Sequence, residues 1–464
     1  MAIIVSINKY MFREYDIRGQ INETEMNEAS MQQIGKAFGT FLLRQNISQT
    51  VVGHDFRSYS EKFYNAFING VLATGCNVLE VGMCLTPMLY FAQHYFKSKG
   101  GAMITASHNP NGWTGVKLSN GLSYTLIGNE VQQIYNFCVT EDFEVGQGKR
   151  EKQDIRKPYL EMIQKKIKLK RKIKVVVECG NGTAGAFAPD ALRAIGCDVI
   201  ELFCNLDATF PHHNPNPETK IAKEVLAEKV KEVGADIGVG FDGDGDRVGV
   251  VDEKGNNIWS DRVAILLARQ ALQKNPGGKV VFDVKCTKAL EEDIKAHGGI
   301  PIMWKTGHSY IKKKCHDETA VFGGERSGHF FIRDDYYGYD DGVFAAAKLI
   351  EFFAEQNKPF SEIISGTPYY EMTPAMHVHC PDDKKYEVSE KLVTEFKKKY
   401  QVIDVNGARV LFENGWGLVR ASSNEPMLVL VFEADTQENI KKYKAIFREV
   451  FVKYPEISSH WENE

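Results

Sequence analysis

The hydrophobic positions of the chain repeat three times in the same order. In each copy a run rich in β-branched residues ends in a polar loop, a stretch of helix length follows, and a glycine opens a second apolar run. The copies span residues 51–82, 175–202 and 280–304. A strand, a helix and a glycine-opened strand are typical of a βαβ unit with parallel strands. The pattern therefore predicts three similar α/β domains.

A third apolar run follows each copy and ends in an unusual loop. These runs cover residues 101–107, 235–242 and 320–325. Ligands bind at the carboxyl ends of the strands in open parallel sheets. The three equivalent loops therefore predict one shared, central cleft between the domains.

The tail after Gly366 departs from this pattern. It predicts a helix over residues 386–400 and strands around 409–412, 417–421 and 427–433. We interpret it as a smaller C-terminal α+β domain that closes the cleft. The predicted domains are residues 1–150, 151–256, 257–366 and 367–464.

Composition and charge exclude several classes of protein. Of 464 residues, 43% are hydrophobic and 25% are charged, as in soluble globular proteins. The formal net charge of −4 gives no general attraction to nucleic acid or anionic lipid, and no apolar run reaches the roughly 18–20 residues of a membrane span. The nine cysteines form no CxxC pair, which indicates reduced thiols. We expect a cytoplasmic protein that binds neither nucleic acid nor a membrane.

The first loop carries a serine beside a histidine, in the run Ser107-His108-Asn109-Pro110. A serine at a strand end, just before Asn-Pro turn chemistry, is exposed and held at a fixed angle. Ser107 is therefore a candidate acceptor of a transferred group. Taken alone, the run is equally compatible with a turn that contains an incidental serine.

The second loop places Asp242, Asp244 and Asp246 at alternating positions with glycines between them. Alternate positions of an extended chain share a face, and glycine lets the backbone curl until the three carboxylates reach one ion. Oxygen ligands of this kind suit Mg²⁺. A calcium EF-hand is the first rival, but Arg247 stands where its loop requires glycine. A solvated acidic turn is the second rival, although three aspartates between apolar strands repel one another without a cation.

The third and fourth loops carry groups that suit a sugar phosphate. Residues 323–329 offer acceptors, a hydroxyl and an imidazole among glycines, which fits a polyhydroxylated substrate. In residues 420–426, Arg420 can bind phosphate with two parallel hydrogen bonds, and neighbouring serines and turn amides supply further donors. The third loop alone is weak evidence for a sugar site, and the fourth loop is equally compatible with an ordinary polar hairpin.

Together the four loops resemble those of the α-D-phosphohexomutase family, most closely its bacterial phosphomannomutase/phosphoglucomutase branch. The resemblance extends from residues 12–19 to the tail loop and implies four domains around a deep cleft. It implies that Ser107 is a phosphoserine and that Ser107, Asp242, Asp244 and Asp246 hold one Mg²⁺. The further positions that it assigns to the site are Arg18, His108 and Lys117 near the reacting groups, and Arg247, Lys285, His308, Glu325, Ser327, His329, Arg420, Ser422, Ser423 and Asn424 around the substrate.

The resemblance also implies the reaction. A hexose 6-phosphate and a hexose 1-phosphate, of mannose or glucose, would be interconverted through a 1,6-bisphosphate that is both intermediate and activator. Lys117 would accept the proton of the attacking hydroxyl, with its pKa lowered by Arg18, Arg247 and the metal. A hexose phosphate is the expected partner, and a monomer the expected state.

Two other functions stay open from the sequence. Phosphoglucosamine mutases have closely related motifs, although the tail run 420–424 and the stretch 210–217 favour the mannose/glucose branch. A sugar-phosphate-binding protein without activity is the other. It is disfavoured because Ser107, the three aspartates and Lys117 are all present.

Overall fold

A computed structural model of the protein describes residues 7–334, 336–423 and 425–462. Over these residues four β-sheets follow one another along the chain, with seven, five, four and six strands. In the same ranges no helix is both long enough and apolar enough to cross a lipid bilayer.

The first sheet lies between helices and has the strand order β1-β5-β4-β2-β3-β7, with β6 paired to β5. Its strands are β1 (Ile17–Gln20), β2 (Gln49–His54), β3 (Asn77–Met83), β4 (Gly100–Ile104), β5 (Trp113–Asn120), β6 (Tyr124–Thr125) and β7 (Arg150–Lys152). Its helices are α1 (Glu28–Leu43), α2 (Ser60–Leu72), α3 (Thr86–Tyr95) and α4 (Asn129–Thr140).

The second sheet has the order β12-β11-β10-β8-β9. The elements of this part are α5 (Arg156–Lys166), β8 (Lys174–Glu178), α6 (Ala188–Ala194), β9 (Asp198–Leu202), α7 (Lys220–Val233), β10 (Ile237–Phe241), β11 (Val248–Asp252) and β12 (Asn257–Ile258).

The third sheet has the order β14-β13-β15-β16. The elements are α8 (Ser260–Lys274), β13 (Lys279–Asp283), α9 (Lys288–Ala296), β14 (Ile300–Trp304), α10 (His308–Asp317), β15 (Phe322–Gly324), β16 (Phe330–Ile332), α11 (Gly342–Ala354) and α12 (Phe360–Ser365).

These three sheets share one arrangement of four strands. In each, a first strand pairs in parallel with a second and a third strand, and the third pairs antiparallel with a fourth. The glycines predicted to open the second strands adopt the left-handed backbone that ends a helix, with φ of 95° at Gly75, 100° at Gly196 and 73° at Gly298. The prediction of three similar α/β domains is confirmed.

The tail forms a separate α+β unit, as predicted. Its sheet has the order β17-β22-β21-β20-β19, with β18 also paired to β22. The elements are β17 (Glu371–Met372), β18 (Met376–His379), α13 (Lys385–Lys397), β19 (Gln401–Ile403), β20 (Ala408–Phe412), β21 (Gly415–Ala421), β22 (Met427–Ala434) and α14 (Gln437–Phe451). The predicted division points at residues 150, 256 and 366 stay predictions.

One large apolar core joins the first three units. It includes residues of α3, α5, α6, α8 and α11 together with strands of the first three sheets. A smaller cluster of Val284, Trp416, Leu418 and Val431 joins the third sheet to the fourth. Continuous burial of this kind holds the loops at the strand ends in fixed relative positions.

Arg409 on β20 anchors the tail unit to the third unit. Its guanidinium lies over the ring of Trp416, 3.7 Å from the centroid, and is buried. Its Nη1 donates to the carbonyls of Val284, at 2.6 Å, and Cys286, at 3.0 Å. One side chain therefore satisfies two buried carbonyls of the chain that follows β13.

We predict that Arg409→Met loosens this joint. The two carbonyls would lose a charged donor, which costs about 1–3 kcal/mol, so the thermal midpoint measured by calorimetry should fall. Arg448→Met is the matched control, because Arg448 also lies over a tryptophan, Trp461, but on the partly exposed face of α14. Equal midpoints for the two variants would contradict the role given to Arg409.

Candidate active site

Ser107 lies in the loop after β4 and faces the aspartate loop of the second unit, residues 242–246. Its Oγ lies 3.0 Å from Asp242 Oδ2 and 3.1 Å from His108 Nδ1. Its φ of 50° is in the left-handed region, which an ordinary residue occupies only at a cost. The serine expected to be exposed is instead buried, and the backbone holds its hydroxyl in one direction, against a carboxylate.

Two charged residues that the sequence reasoning missed fix this loop. Asp55 Oδ2 accepts hydrogen bonds from Thr105 Oγ1, at 2.8 Å, and from the amide of Ala106, at 3.2 Å. Arg57 Nη2 donates to the carbonyl of Ser107 at 3.0 Å. Both side chains are buried. The sequence feature that could have identified them is the run Asp55-Phe56-Arg57 at the carboxyl end of a predicted strand, which is the edge of the sheet where ligands bind.

Asp242, Asp244 and Asp246 converge as predicted. One carboxylate oxygen from each lies within 4.8 Å of the others, and all three side chains are buried. The Oδ1 atoms of Asp244 and Asp246 have no hydrogen-bond partner among the described residues. Buried carboxylate oxygens without donors are costly, so the donor set fits a hard divalent cation. Glu253, which would be the twelfth residue of an EF-hand loop that began at Asp242, instead accepts a hydrogen bond from the Ser361 amide at 3.0 Å.

Lys117 on β5 lies against this cluster. Its Nζ is 2.8 Å from Asp244 Oδ2 and 2.5 Å from Asp246 Oδ2. Burial acts to lower the pKa of Lys117, but the two carboxylates outweigh it and hold that pKa well above its usual value. The expected lowering of the Lys117 pKa is therefore not found, because its nearest charged groups are anions rather than Arg18 and Arg247.

The carboxylates themselves respond to Lys117. Burial and mutual repulsion raise the pKa of Asp242 well above its ordinary value. Burial also acts to raise the pKa of Asp244 and of Asp246, but Lys117 outweighs it and both are lowered. Thr86, at the start of α3, contributes by donating from Oγ1 to Asp244 Oδ2 at 2.6 Å. Thr86 was also missed from the sequence.

The glycine between the first two aspartates allows the two loops to meet. A Cβ added at Gly243 would lie 2.4 Å from the carbonyl oxygen of Ser107. The Gly243 amide donates to the carbonyl of Pro215 at 3.1 Å, and the neighbouring Asn214 donates to the carbonyl of His108. The stretch 210–217 therefore supports both loops.

Arg247 and His329 connect the second loop to the third. Arg247 Nε donates to His329 Nε2 at 3.0 Å and lies 3.8 Å from Asp242 Oδ2. His329 Nδ1 in turn lies 3.7 Å from Asp246 Oδ1. The predicted residues of two separate loops thus form one polar network.

Asp340, just before α11, is the buried hub of this network and was not identified from the sequence. Its carboxylate lies 3.4 Å from His308 Nδ1, 3.2 Å from His329 Nδ1 and 3.4 Å from Lys312 Nζ. The two imidazole rings stack with centroids 5.2 Å apart. Burial lowers the pKa of His308 to about 4, so its ring is neutral near pH 7.

The third loop presents a buried acid. Glu325 Oε2 accepts from Ser327 Oγ at 3.0 Å, and burial raises the pKa of Glu325. Lys285 Nζ lies 3.5 Å from Asp283 Oδ2. Asp283 also accepts from the amide of Arg326 at 3.2 Å. Lys285 and the loop therefore share one carboxylate.

Two arginines lie at the margins of the site. Arg18 Nη1 donates to Asn109 Oδ1 at 2.5 Å, and Nη2 donates to Asp16 at 2.7 Å, beside the serine loop. Arg420 Nη1 donates to the carbonyl of Ala421 at 2.7 Å. Burial raises the pKa of Tyr15 to about 12, Glu325 adds to this shift and Arg420 opposes it, so the third and fourth loops both face Tyr15.

One of the remaining predicted tail residues lines a cavity of about 580 Å³. Ser423 lines it together with Glu14, Lys305, Tyr310 and Tyr386. The Ser422 amide donates to the carbonyl of Met427 at 2.9 Å. Asn424 lies outside the described residues.

His108 follows Ser107 in the chain and lies near the cations Arg18 and Arg247. Burial, with the nearby Arg247 and Arg18, lowers the pKa of His108 well below its ordinary value. The imidazole is therefore neutral, and its Nδ1 can exchange a hydrogen bond with the serine hydroxyl.

Comparison with known protein families identifies the class of this chain. Phosphoglucomutase/phosphomannomutase alpha/beta/alpha domains I, II and III match residues 9–145, 157–255 and 259–370, and the C-terminal domain of the same family matches residues 376–450. The chain belongs to the phosphoglucomutase/phosphomannomutase family.

Named relatives and a solved structure agree. A phosphomannomutase/phosphoglucomutase of Pseudomonas putida is 41% identical over 439 residues, 94% of each chain. A phosphoglucomutase of Neisseria gonorrhoeae is 38% identical over 459 residues, 98% of this chain and 99% of the relative. A crystal structure of a family protein from Burkholderia thailandensis superposes with a TM-score of 0.90 at 35% identity, covering 96% of this chain and 97% of that one.

We predict that Gly243→Ala separates the serine loop from the aspartates. The added methyl would force the backbones apart, and a displacement near 1 Å at a reacting group costs about 100-fold in rate. Turnover of glucose 1-phosphate should fall by about that factor while the far-ultraviolet circular dichroism stays unchanged. Gly240→Ala is the control, because its Cβ would meet nothing closer than 3.5 Å. A fully active Gly243→Ala enzyme would contradict the close contact.

Proposed function

We propose that this chain is an isomerase that interconverts the 1-phosphate and the 6-phosphate of glucose or mannose by moving a phosphoryl group through Ser107. One observation carries the proposal: the Ser107 hydroxyl lies 3.0 Å from Asp242, within a buried cluster of three carboxylates. A hydroxyl that only capped a turn would not need a strained backbone directed at buried anions.

The three aspartates and an oxygen of phosphorylated Ser107 would hold one Mg²⁺. The two carboxylate oxygens without donors, on Asp244 and Asp246, support this assignment. The bound ion would offset negative charge on the phosphoryl group during transfer. Asp242, which already contacts Ser107 Oγ, orients the serine toward the other ligands.

The cations around Ser107 position the transferred group. Arg247 lies beside Asp242, and Arg18 is held next to Asn109 of the serine loop. Such fixed positive groups stabilise charge on a phosphoryl group without reorganisation. Neutral His108 can hold the hydrogen of the Ser107 hydroxyl when the phosphate has left.

Lys117 would accept the proton of the attacking sugar hydroxyl. In the arrangement described, Lys117 is protonated and forms ion pairs with Asp244 and Asp246. A carboxylate that also binds a divalent cation attracts Lys117 less, so the pKa of Lys117 is lower in the loaded enzyme. Asp244 and Asp246 thus determine whether Lys117 stays protonated or loses its proton and can act as a base.

The substrate is held at both ends of the cleft. Glu325, Ser327, His329 and His308 would read sugar hydroxyls, and Lys285 extends this set through Asp283. Arg420 with Ser422, Ser423 and Asn424 would bind the phosphate that is not being transferred. The bisphosphate intermediate must present both ends to one serine, so these groups must accept the sugar in two orientations.

Two further properties accompany the proposal. The nine free, buried cysteines support a cytoplasmic location. One chain supplies every proposed site residue, so a monomer is sufficient for the reaction.

Replacing the phosphate carrier is the direct test. We predict that Ser107→Ala shows no conversion of glucose 1-phosphate to the 6-phosphate, even with added glucose 1,6-bisphosphate, because among the described residues no other hydroxyl donates to Asp242. The coupled assay for glucose 6-phosphate measures this. Ser58→Ala changes an exposed serine of the same unit and should keep full activity. Near-parental turnover by Ser107→Ala would exclude a phosphoserine route.

A second prediction concerns the ion. Asp244→Asn removes one anionic ligand, and the loss of a charge-assisted contact of about 1.5–3 kcal/mol corresponds to about 10- to 150-fold in binding. The Mg²⁺ concentration that gives half-maximal rate should rise by that factor. Asp198→Asn, at the exposed start of β9, serves as the control. An unchanged Mg²⁺ dependence would place the ion elsewhere.

A further inference from the structure

A second cavity, separate from the aspartate cluster, lies between the first and third units. We call it the inter-unit pocket and define it by the residues at its two walls, which are 121–125 of the β5–β6 connection and β6, and Ser309, Lys312, Lys313, Cys315 and His316 of α10. Its volume is about 250 Å³. Arg333 and Tyr337 complete its rim.

The pocket is strongly cationic. Lys312, Lys313 and Arg333 line it, and the described residues of its lining contain no aspartate or glutamate. Lys313 also pairs with Asp317, 2.7 Å away, and both are partly exposed. Arg333 and Tyr337 are exposed, so the cations of the rim face solvent. This lining selects an anion.

The floor of the pocket is buried and carries an unused hydroxyl. Thr125 is 4% exposed, and its Oγ1 has no hydrogen-bond partner in the described chain. Lys312, also buried, places its Nζ 3.8 Å from the centre of the Tyr90 ring. A buried hydroxyl without a partner beside a buried ammonium group is what a polar ligand would satisfy.

The opposite wall is strained. Gly121, Leu122 and Ser123 have φ of 68°, 67° and 69°, so three consecutive residues adopt the left-handed backbone and only the first is glycine. Such conformations cluster at ligand sites, where the surroundings maintain them. Beside this wall, His94 stacks on Tyr337 with centroids 4.3 Å apart, and burial lowers the pKa of His94 to about 4. A neutral imidazole and two aromatic faces give the ligand an apolar side.

We propose that the inter-unit pocket binds a small phosphate monoester. Its phosphate would contact Lys312, Lys313 and Arg333, and its organic part would lie against Leu122, Thr125 and the His94–Tyr337 pair. The proposal stands on this lining alone and does not depend on the reaction proposed for Ser107.

Lys312 connects the pocket to the candidate active site. Its Nζ lies 3.4 Å from Asp340 Oδ1, and Asp340 also holds His308 and His329. A phosphate in the pocket competes with Asp340 for Lys312, so the ligand should alter turnover without occupying the substrate cleft.

Calorimetric titration with phosphoglycolate, a small phosphate monoester, tests the proposal. The parent should bind two equivalents, one in the pocket and one at the substrate phosphate position. Arg420→Ala should keep only the first, and the double variant Lys313→Gln/Arg333→Gln only the second. Lys314→Gln is the matched control, because Lys314 is on the same helix but pairs with Glu318 and does not line the pocket.

Kinetics add an independent readout. Phosphoglycolate should lower kcat of the parent at saturating glucose 1-phosphate, and this effect should vanish in Lys313→Gln/Arg333→Gln, whose basal kcat should match that of the parent. Equal numbers of equivalents bound by the parent and by the double variant would overturn the proposal. Inorganic phosphate that binds the pocket as tightly as phosphoglycolate would assign it to the free ion and overturn the ester.

Discussion

The mutual repulsion of three buried aspartates sets what the surrounding structure must supply. Asp242, Asp244 and Asp246 share a volume less than 5 Å across, where charges interact more strongly than in water. One ammonium group, from Lys117, touches two of them. A further positive charge fits the two oxygens without donors, and the Ser107 hydroxyl, the proposed phospho-acceptor, lies against Asp242 of the same cluster. The proposed phosphoryl transfer at this site depends on that arrangement of charges.

The repeated sheet explains how distant segments deliver these groups. In each of the first three units a buried acid stands at or just after the end of the first strand: Asp55, Glu178 and Asp283. Asp55 accepts the Ala106 amide and Asp283 accepts the Arg326 amide, each in the loop after the third strand. One topological position is therefore used twice to hold a site loop. The large core shared by the three units holds these loops in fixed positions relative to one another.

Much of this could be predicted because it is local in sequence. The three βαβ units follow from apolar runs and glycines, and Asp242, Asp244 and Asp246 follow from their alternating spacing. Helix α14 and strands β17, β18 and β19 were not predicted in the tail, where the repeat that guided the interpretation ends. Asp55, Arg57 and Asp340 were missed because each acts on residues far away in the sequence. Asp55 and Arg57 hold residues 50 positions further on, and Asp340 contacts His308 on another element. The raised pKa of Lys117 was not foreseen for the same reason, because it depends on the carboxylates that contact Nζ; the part of the prediction that rests on a bound metal ion stays a prediction.

The position of the bound ion tests the central claim most directly. Crystals grown with Mn²⁺ in place of Mg²⁺ would reveal the ion by its anomalous scattering. The account predicts one peak in contact with Asp242, Asp244 and Asp246 and facing Ser107. The buried group formed by Asp246, His329 and Asp340 also offers three ligand atoms within 4.8 Å of one another. A peak on that group, or no peak at the three aspartates, would contradict the account.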